Sequence, residues 1–273
     1  MTTHADLPPP LKPRVSRHLP RFASARTVLA LMLREMSTTY GRSPGGYLWA
    51  ILEPLAGIAL LSIIFSIGFR SPALGINFAM FYATGMLPFV MFTDISGKLG
   101  QALNFSKHLL SYPRVTFLDA ILARFLLNLI TQIMVSYIIF MGIILTSETR
   151  ITPDLAILVK SYFYMALLAL SIGTFNCFMM KRFDIYQRAW GILMRPLFLL
   201  SCIFFLFDTI PQPYQDYLWF NPLVHIIGMV RDGFYGSYDA HYVSESYVLI
   251  VSLMSFSIGL LMLRRFHKST LER

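Results

Sequence analysis

Charged residues are scarce in this 273-residue chain: they make up 14% of it, against roughly 25% in soluble domains. Hydrophobic residues make up 56%, and the mean hydropathy is +0.59. This composition excludes an ordinary soluble domain. Cysteine is scarce as well. Cys177 and Cys202 both fall in apolar stretches and lack the spacing of metal ligands, so no thiolate metal centre is expected.

Motifs that bind nucleotides or metals, or that supply a nucleophile, are also absent. There is no GxxxxGK[ST] phosphate loop, no HExxH, no CxxC and no GxSxG. We therefore expect no cofactor in this chain and no enzyme activity of its own. A membrane-embedded transferase is an alternative, but the acids it would need show no suitable spacing. These acids are Glu148, Asp154, Asp208, Asp216, Asp232, Asp239 and Glu245.

Six long apolar stretches dominate the sequence, at residues 48–69, 78–97, 115–145, 155–180, 189–207 and 247–263. Each approaches or exceeds the ~20 helical residues that cross a ~30 Å hydrocarbon layer. Inside lipid every backbone N–H and C=O needs a partner within the protein, so such stretches form helices. The sequence thus predicts an all-α membrane protein in which residues 21–273 form one domain of six transmembrane helices.

Lysine and arginine are distributed unevenly about these stretches. Residues 1–46 hold seven of them. The loops after the second and fourth stretches, counted with the adjoining helix ends, and the C-terminal tail hold four each. Arg70, Arg150, Lys160 and Arg231 lie on the other side. Cations collect on the cytoplasmic side, so both termini are predicted to be cytoplasmic. The net charge of +9 is then a topology signal, and nucleic acid is not an expected partner.

Ionisable residues deep within the apolar stretches are few. Asp94, Asp119, Arg124 and Arg195 all lie near the predicted cytoplasmic ends. A proton- or sodium-coupled carrier generally holds carboxylates or histidines at mid-membrane, so this class is disfavoured. Energy for any transport would come from another polypeptide.

The N-terminal region divides into two parts. Residues 1–20 are basic and proline-rich and are predicted to be a disordered arm. Over residues 22–40 apolar side chains recur every three or four positions, with Arg34 among the polar residues opposite them. That periodicity predicts an amphipathic helix at the membrane interface. A helix packed against soluble protein is the alternative.

Two short polar connections on the predicted cytoplasmic side contain the pairs Lys107 with His108 and Arg182 with Asp184. Each connection has the size of a helix or turn that docks on a cytoplasmic partner. An ordinary solvated connection explains the composition equally well.

The first apolar stretch opens with Tyr47 and Trp49, whose rings suit a membrane boundary. Glu53 follows about one turn inside, where a carboxylate usually faces protein or water. Glu53 therefore either lines a path through the membrane or pairs with Arg42 or a neighbouring helix.

Residues 208–246 separate the fifth and sixth stretches and contain an apolar run that is too short to span and is interrupted by Pro222. Such a run is typical of a re-entrant or interfacial segment, here on the periplasmic side. Non-helical backbone at membrane depth is tolerated only against protein or a water-filled cavity. This segment therefore points to a translocation path.

Three segments resemble one known family. They are RSPGGYLWAILEPL at 42–55, RPLFLLSCIFF at 195–205 and WFNPLVHIIGMVRDGFYG at 219–236. With the basic entry helix and six spans, they resemble the membrane subunits of type-2 ABC exporters, and most of all the capsular-polysaccharide export permeases of Gram-negative bacteria. Ser201-Cys202 stands where the family more often has Ser-Gly.

The resemblance implies a homodimeric permease in the bacterial inner membrane, joined to two copies of a cytoplasmic ATPase that binds ATP and Mg. The substrate would be a lipid-linked polysaccharide, handed on to periplasmic and outer-membrane export proteins. An exporter of O-antigen or teichoic-acid-type polymers, or of a small hydrophobic compound, has the same architecture and is the alternative.

The resemblance also suggests roles for individual residues. Some would contact the polymer or shape its path, and others would take up the ATPase motion. The expected path residues are Tyr47, Trp49, Glu53, Tyr217, Trp219, Phe220, Asn221, His225 and Arg231. The expected coupling residues are Arg34, Arg42, Lys107, His108, Arg182 and Asp184. Asn221, His225 and Arg231 would either hold the re-entrant helices or meet acidic sugars.

Overall fold

The computed structural model describes residues 23–39, 45–106 and 115–271, and these contain helices and connections but no strand. The helices are α1 (Ala23–Thr39), α2 (Gly46–Gly68), α3 (Phe78–Gly100), α4 (Ala102–Phe105), α5 (Phe117–Thr146), α6 (Leu155–Arg182), α7 (Asp184–Leu200), α8 (Tyr214–Trp219), α9 (Pro222–Phe234) and α10 (Glu245–Leu271). The predicted basic arm, Arg42, Lys107 and His108 lie outside the described residues.

Five of these helices, α2, α3, α5, α6 and α10, are long and apolar enough to cross a membrane. They coincide with the first four predicted stretches and the sixth, with ends that differ by at most three residues, apart from α10, which ends eight residues beyond the predicted 263. The helices run alternately up and down. The starts of α2, α5 and α7 lie with α4 at one end of the bundle, called here the α4 end. The starts of α3, α6 and α10 lie at the opposite end, the α8 end.

Side chains in the turns before several helices fix where those helices begin. The Asn77 side chain accepts a hydrogen bond from the Met80 N–H at 3.1 Å and caps α3. Thr116 and Asp119 form a reciprocal capping box at α5. Asp154 accepts from two N–H groups of the first turn of α6. These bonds satisfy donors that a helix N-terminus would otherwise leave unpaired.

The centre of the bundle is the pair α3 and α6, with α9 and α10 packed on α6 and α2 and α5 packed on α3. Gly259 of α10 lies directly over the α6 backbone, because a Cβ at this position would be 2.8 Å from the Phe175 nitrogen. Small residues at such crossings let membrane helices approach closely.

The predicted fifth span differs most from the structure. Residues 189–207 are not one helix: α7 starts earlier, at Asp184, and ends at Leu200 after 17 residues. Residues 201–206 are irregular, with Cys202 at φ 58, and a short 3₁₀ turn follows at Phe207–Thr209. Pro196 lies about one turn before this end and lacks the N–H that would bond to the Ile192 carbonyl.

Helix α1 occupies the predicted amphipathic segment and packs along α5. Leu29 and Leu33 remain more than half exposed on its outer side. Glu35 of the same helix is buried against α5. Helix α1 thus differs from a simple amphipathic surface helix: part of its apolar side is exposed, and one of its carboxylates is buried in the bundle.

Candidate functional site

The irregular residues between α7 and the 3₁₀ turn leave backbone carbonyls without helical partners at the depth of the bundle. The Asn221 side chain donates to the Leu200 carbonyl at 3.1 Å and to the Ser201 Oγ at 3.2 Å. Its Oδ1 accepts from the Leu223 N–H and so also caps α9. One amide thereby joins the end of α7 to the start of α9.

Arg231 binds the same irregular residues from the far end of α9. Its Nη2 donates to the Ile203 carbonyl at 2.9 Å, and its Nη1 donates to the Phe205 carbonyl at 3.0 Å. The guanidinium carbon lies 4.5 Å from the centre of the Phe81 ring of α3. Only 1% of the residue is exposed. A planar fork of donors suits two adjacent carbonyls, and the aromatic face adds a favourable contact.

His225 is fully buried between α8 and the start of α10. Its Nδ1 accepts from the Ser244 N–H at 3.2 Å, and its Nε2 lies 2.8 Å from the Trp219 carbonyl, so Nε2 carries the proton. Burial lowers the pKa of His225 and keeps the ring neutral. The geometry of Asn221, His225 and Arg231 thus favours the first of their two predicted roles, holding α8 and α9 in place.

Aromatic side chains surround this junction at the α8 end. Trp219 lies edge-on to His225 at 5.0 Å between ring centres, and its Nε1 donates to the Tyr242 carbonyl at 3.0 Å. Tyr217 and Phe220, by contrast, are 75% and 66% exposed. Of the predicted path residues in this segment, these two rings offer the most surface to a passing molecule.

The path residues of α2 lie far from those rings. Trp49 and Glu53 are exposed and Tyr47 is half-buried, all in the first two turns of α2 at the α4 end. The opposite end of α2 leads into a loop whose Gly75 touches Tyr235, next to α9. The predicted path residues therefore form two groups at opposite ends of the bundle, and the structure does not bring them together.

A buried ion pair at the α4 end was not among the predicted site residues. Glu35 of α1 lies 3.0 Å from the Arg124 Nε of α5, and both side chains are at most 10% exposed. Burial raises the pKa of Glu35, although the charge of Arg124 acts in the opposite direction. The Phe105 ring of α4 lies 4.6 Å from the Arg124 guanidinium and 5.7 Å from that of Arg34. An arginine inside an apolar stretch was the available signal for this cluster.

A second polar group continues inward from this cluster. Asp94 of α3 accepts a hydrogen bond from Lys98 at 2.8 Å and from the Gln132 amide of α5 at 2.7 Å. Arg182 and Asp184, two further predicted coupling residues, also lie at the α4 end, where they line a small polar cavity of about 210 Å³ with Asn104 of α4. Among the described residues the α4 end thus holds the ion pair between α1 and α5, and the α8 end holds another between Lys160 of α6 and Glu245 of α10.

Comparison with known proteins identifies the family. The family model described as "ABC-2 type transporter" matches residues 26–235, from α1 through α9. This chain belongs to the ABC-2 type transporter family. The predicted resemblance to type-2 ABC exporters is therefore confirmed, and the match includes both the Glu35–Arg124 pair and the segment from Asn221 to Arg231.

Three relatives of this ABC-2 chain are similar over nearly their whole length. The polysialic acid transport protein KpsM of Escherichia coli is 33% identical over 87% of this chain and 92% of its own. The capsule polysaccharide export inner-membrane protein CtrC of Neisseria meningitidis is 26% identical over 89% and 92%. The capsule polysaccharide export inner-membrane protein BexB of Haemophilus influenzae is 28% identical over the same shares.

Proposed function

We propose that this chain is the permease subunit of an ATP-driven exporter that moves a lipid-linked capsular polysaccharide across the bacterial inner membrane. The observation that carries this proposal is the set of relatives named for polysialic acid or capsule polysaccharide, which match over almost the entire permease. The five membrane-length helices support an inner-membrane location. ATP and Mg would be bound by a separate ATPase subunit, as expected for this family.

The proposed assembly is a dimer of this chain with two ATPase copies. Two features support the dimer: α7 buries no side chain, and α2 buries only Pro54 and Ile58. Both helices thus keep apolar surface for a second copy. The ATPase would dock at the α4 end, where α1, α4 and the start of α7 meet. Periplasmic and outer-membrane partners would receive the polymer at the α8 end.

Deletion of the gene tests this function directly. The deletion strain should accumulate finished polymer inside the cell and lose it from the surface, and wild-type protein should restore the surface polymer. Permease purified alone should not hydrolyse ATP, whereas permease reconstituted with its ATPase should. Loss of polymer synthesis in the deletion strain, in place of internal accumulation, would indicate the transferase and contradict export.

One structural observation favours the alternative of a small hydrophobic substrate. An apolar groove of about 550 Å³ lies between α5 and α6, lined by residues such as Ile133, Tyr137, Val159 and Phe163. Ile133→Trp, which would fill the groove, separates the two functions: a drug or lipid exporter would lose activity, and a polysaccharide exporter would keep it.

A further inference from the structure

The groove between α5 and α6 has a floor made of buried side chains. Phe234, the last residue of α9, packs against Phe140 of α5 at 4.4 Å between ring centres, and Ala166 of α6 completes the floor. The walls are exposed side chains, namely Ile133, Tyr137 and Met141 of α5 and Leu155, Val159 and Phe163 of α6. The groove is therefore concave, closed by protein below and open on the outside of the bundle.

Both walls of the groove belong to helices that are long and apolar enough to cross a membrane. On α6 the lining runs from Leu155, the first residue of the helix, to Ala166, which is about 16 Å at 1.5 Å per residue. That length is close to half of a ~30 Å hydrocarbon layer. The lining residues are uncharged, and only Ser136, Tyr137 and Tyr162 among them carry a hydroxyl. The groove therefore lies at the depth of the acyl chains of one leaflet, the leaflet at the α8 end.

The width of the groove decides what kind of molecule can enter it. On α5 the lining extends from Ile144 to Leu129, about 22 Å along the helix. A volume of about 550 Å³ spread over about 16–22 Å gives a mean cross-section of about 25–35 Å², or about 6–7 Å across. An α-helix with its side chains is about 10–12 Å across, so a transmembrane helix of a partner does not fit. A single hydrocarbon chain does, with carbon–carbon contacts of about 3.5–4.0 Å to both walls.

Shape alone does not retain a lipid, because lipid tails are as apolar as the groove and the hydrophobic effect gives no preference between the two. Retention requires a contact with the headgroup. The connection from α5 to α6 passes the α8 end of the groove, where its Pro153 is part of the lining. Arg150 lies three residues earlier, at most about 11 Å along the chain. It is exposed and forms no ion pair with the side chains that the structure describes. Glu148 and Asp154 of the same connection are exposed acids. Charges of both signs at this mouth suit a headgroup that carries a phosphate and an ammonium group together.

We propose that this groove binds one acyl chain of a zwitterionic phospholipid, such as phosphatidylethanolamine, from the leaflet at the α8 end. The lipid phosphate accepts hydrogen bonds from Arg150, and the ammonium group lies near Glu148 or Asp154. The second acyl chain stays in the bilayer. The bound chain fills the space between α5 and α6 and is part of the folded permease. This inference does not depend on the proposed function, because an exporter of any substrate would hold the same lipid.

The lipid retained by the purified protein tests the proposal. The assembled transporter is purified in detergent from cells that make the polymer and from cells that do not, and its phospholipids are identified by native mass spectrometry. The wild type should retain phosphatidylethanolamine in preference to phosphatidylglycerol in both cases. Ile133→Trp, which fills the groove, should lower this retention several-fold. Ile138→Trp is the matched control, since Ile133 and Ile138 are 45% and 42% exposed on α5 and only Ile133 lines the groove.

A second pair of variants tests the headgroup contact. Arg150→Gln should lower retention roughly tenfold, since a hydrogen bond to a charged group carries about that effect. Arg70→Gln removes an exposed arginine from the connection after α2 and should retain the lipid. Equal retention by Ile133→Trp and Ile138→Trp would overturn the acyl-chain site, and a preference for phosphatidylglycerol would overturn the zwitterionic headgroup. A lipid found only in protein from polymer-producing cells would be the anchor of the polymer, which also refutes a membrane phospholipid.

A photolabelling measurement needs only the wild-type protein and covers the case in which a variant does not accumulate. The probe is phosphatidylethanolamine with a diazirine at the end of one acyl chain, in vesicles that contain the assembled transporter. It should label residues 129–141 and 159–166 several-fold more than the exposed side of α10, where Leu253 and Met254 are 49% and 60% exposed. Labelling in proportion to exposure would indicate ordinary contact with the bilayer and overturn the proposal. Such a result leaves the proposed function standing, because neither measurement involves export.

Discussion

Arg231 is the largest fully buried side chain in the part of the chain that the structure describes. Its two hydrogen bonds replace the donors that residues 201–206 lost when the helix ended at Leu200. Inside a membrane such carbonyls have no water to accept hydrogen bonds from, so the arginine stabilises the fold by supplying the missing donors. The arginine in the segment WFNPLVHIIGMVRDGFYG is therefore explained by its hydrogen bonds to backbone carbonyls.

Replacement of this arginine should destabilise the permease strongly. Arg231→Met leaves the Ile203 and Phe205 carbonyls unpaired, and we expect a loss of about 3 kcal/mol, or roughly 6–10 °C in Tm. The measurement is thermal unfolding of detergent-purified protein. Arg70→Gln, at an exposed position, should melt like the wild type. A similar Tm for the two variants would mean that the carbonyls find other donors.

At the scale of helices, two contacts show different ways in which separate elements are joined. The Glu35–Arg124 pair connects α1 to α5, and the Phe105 ring brings α4 against the same arginine. At the other contact, Gly259 lets α10 lie directly against α6. The first contact depends on charge and the second on the absence of a side chain.

The ion pair can be tested with a double-mutant cycle of Glu35→Gln, Arg124→Gln and both together. Either single change leaves a buried partner charge and should cost about 3 kcal/mol. The double change should cost less than the sum of the two, by roughly 2 kcal/mol. Arg26→Gln, an exposed change on α1, is the control. Additive losses in thermal unfolding would show that the two side chains do not interact.

The glycine contact predicts opposite effects for two identical changes. Gly259→Ala places a methyl group about 2.8 Å from the Phe175 nitrogen and should destabilise by about 2 kcal/mol. Gly142→Ala of α5 meets nothing within 4 Å and should stabilise by about 0.5 kcal/mol through helix propensity. Thermal unfolding of the two variants is the comparison. Equal shifts would contradict the close approach of α10 to α6.

At the scale of the whole molecule, the proposed orientation places the α4 end in the cytoplasm. Ser237→Cys, in the exposed turn after α9, should react with an impermeant maleimide in cells whose outer membrane is made permeable. Asn104→Cys, in α4, should react only after the inner membrane is opened. Buried Cys177 and Cys202 keep the background low. Labelling in the reverse order would invert the topology.

The sequence predicted the long helices well because apolar length is a local property. The bounds of α2, α3, α5, α6 and α10 follow from runs of residues that lie side by side in the chain. The end of α7 could not be found in this way. It depends on Asn221 and Arg231, which reach back from a later helix to bind carbonyls at residues 200–205.

The candidate site was predicted unevenly for the same reason. The motif from Asn221 to Arg231 was identified, but its side chains turned out to bind protein atoms. The Glu35–Arg124 pair was missed because its two halves lie on helices far apart in sequence. The exposed path residues stay predictions, since their roles depend on partners and polymer.

The bonds that join α7 to α9 have a mechanical consequence. Residues 201–206 have no regular structure, but hydrogen bonds from Asn221 and Arg231 hold them to α9, which restricts the motion of α7 relative to α9. If the proposed ATPase moves the first turn of α7, these hydrogen bonds would transmit that movement from α7 to α9. Tyr217 and Phe220, which lie at the α8 end of the bundle, would then change position each time the proposed ATPase hydrolyses ATP.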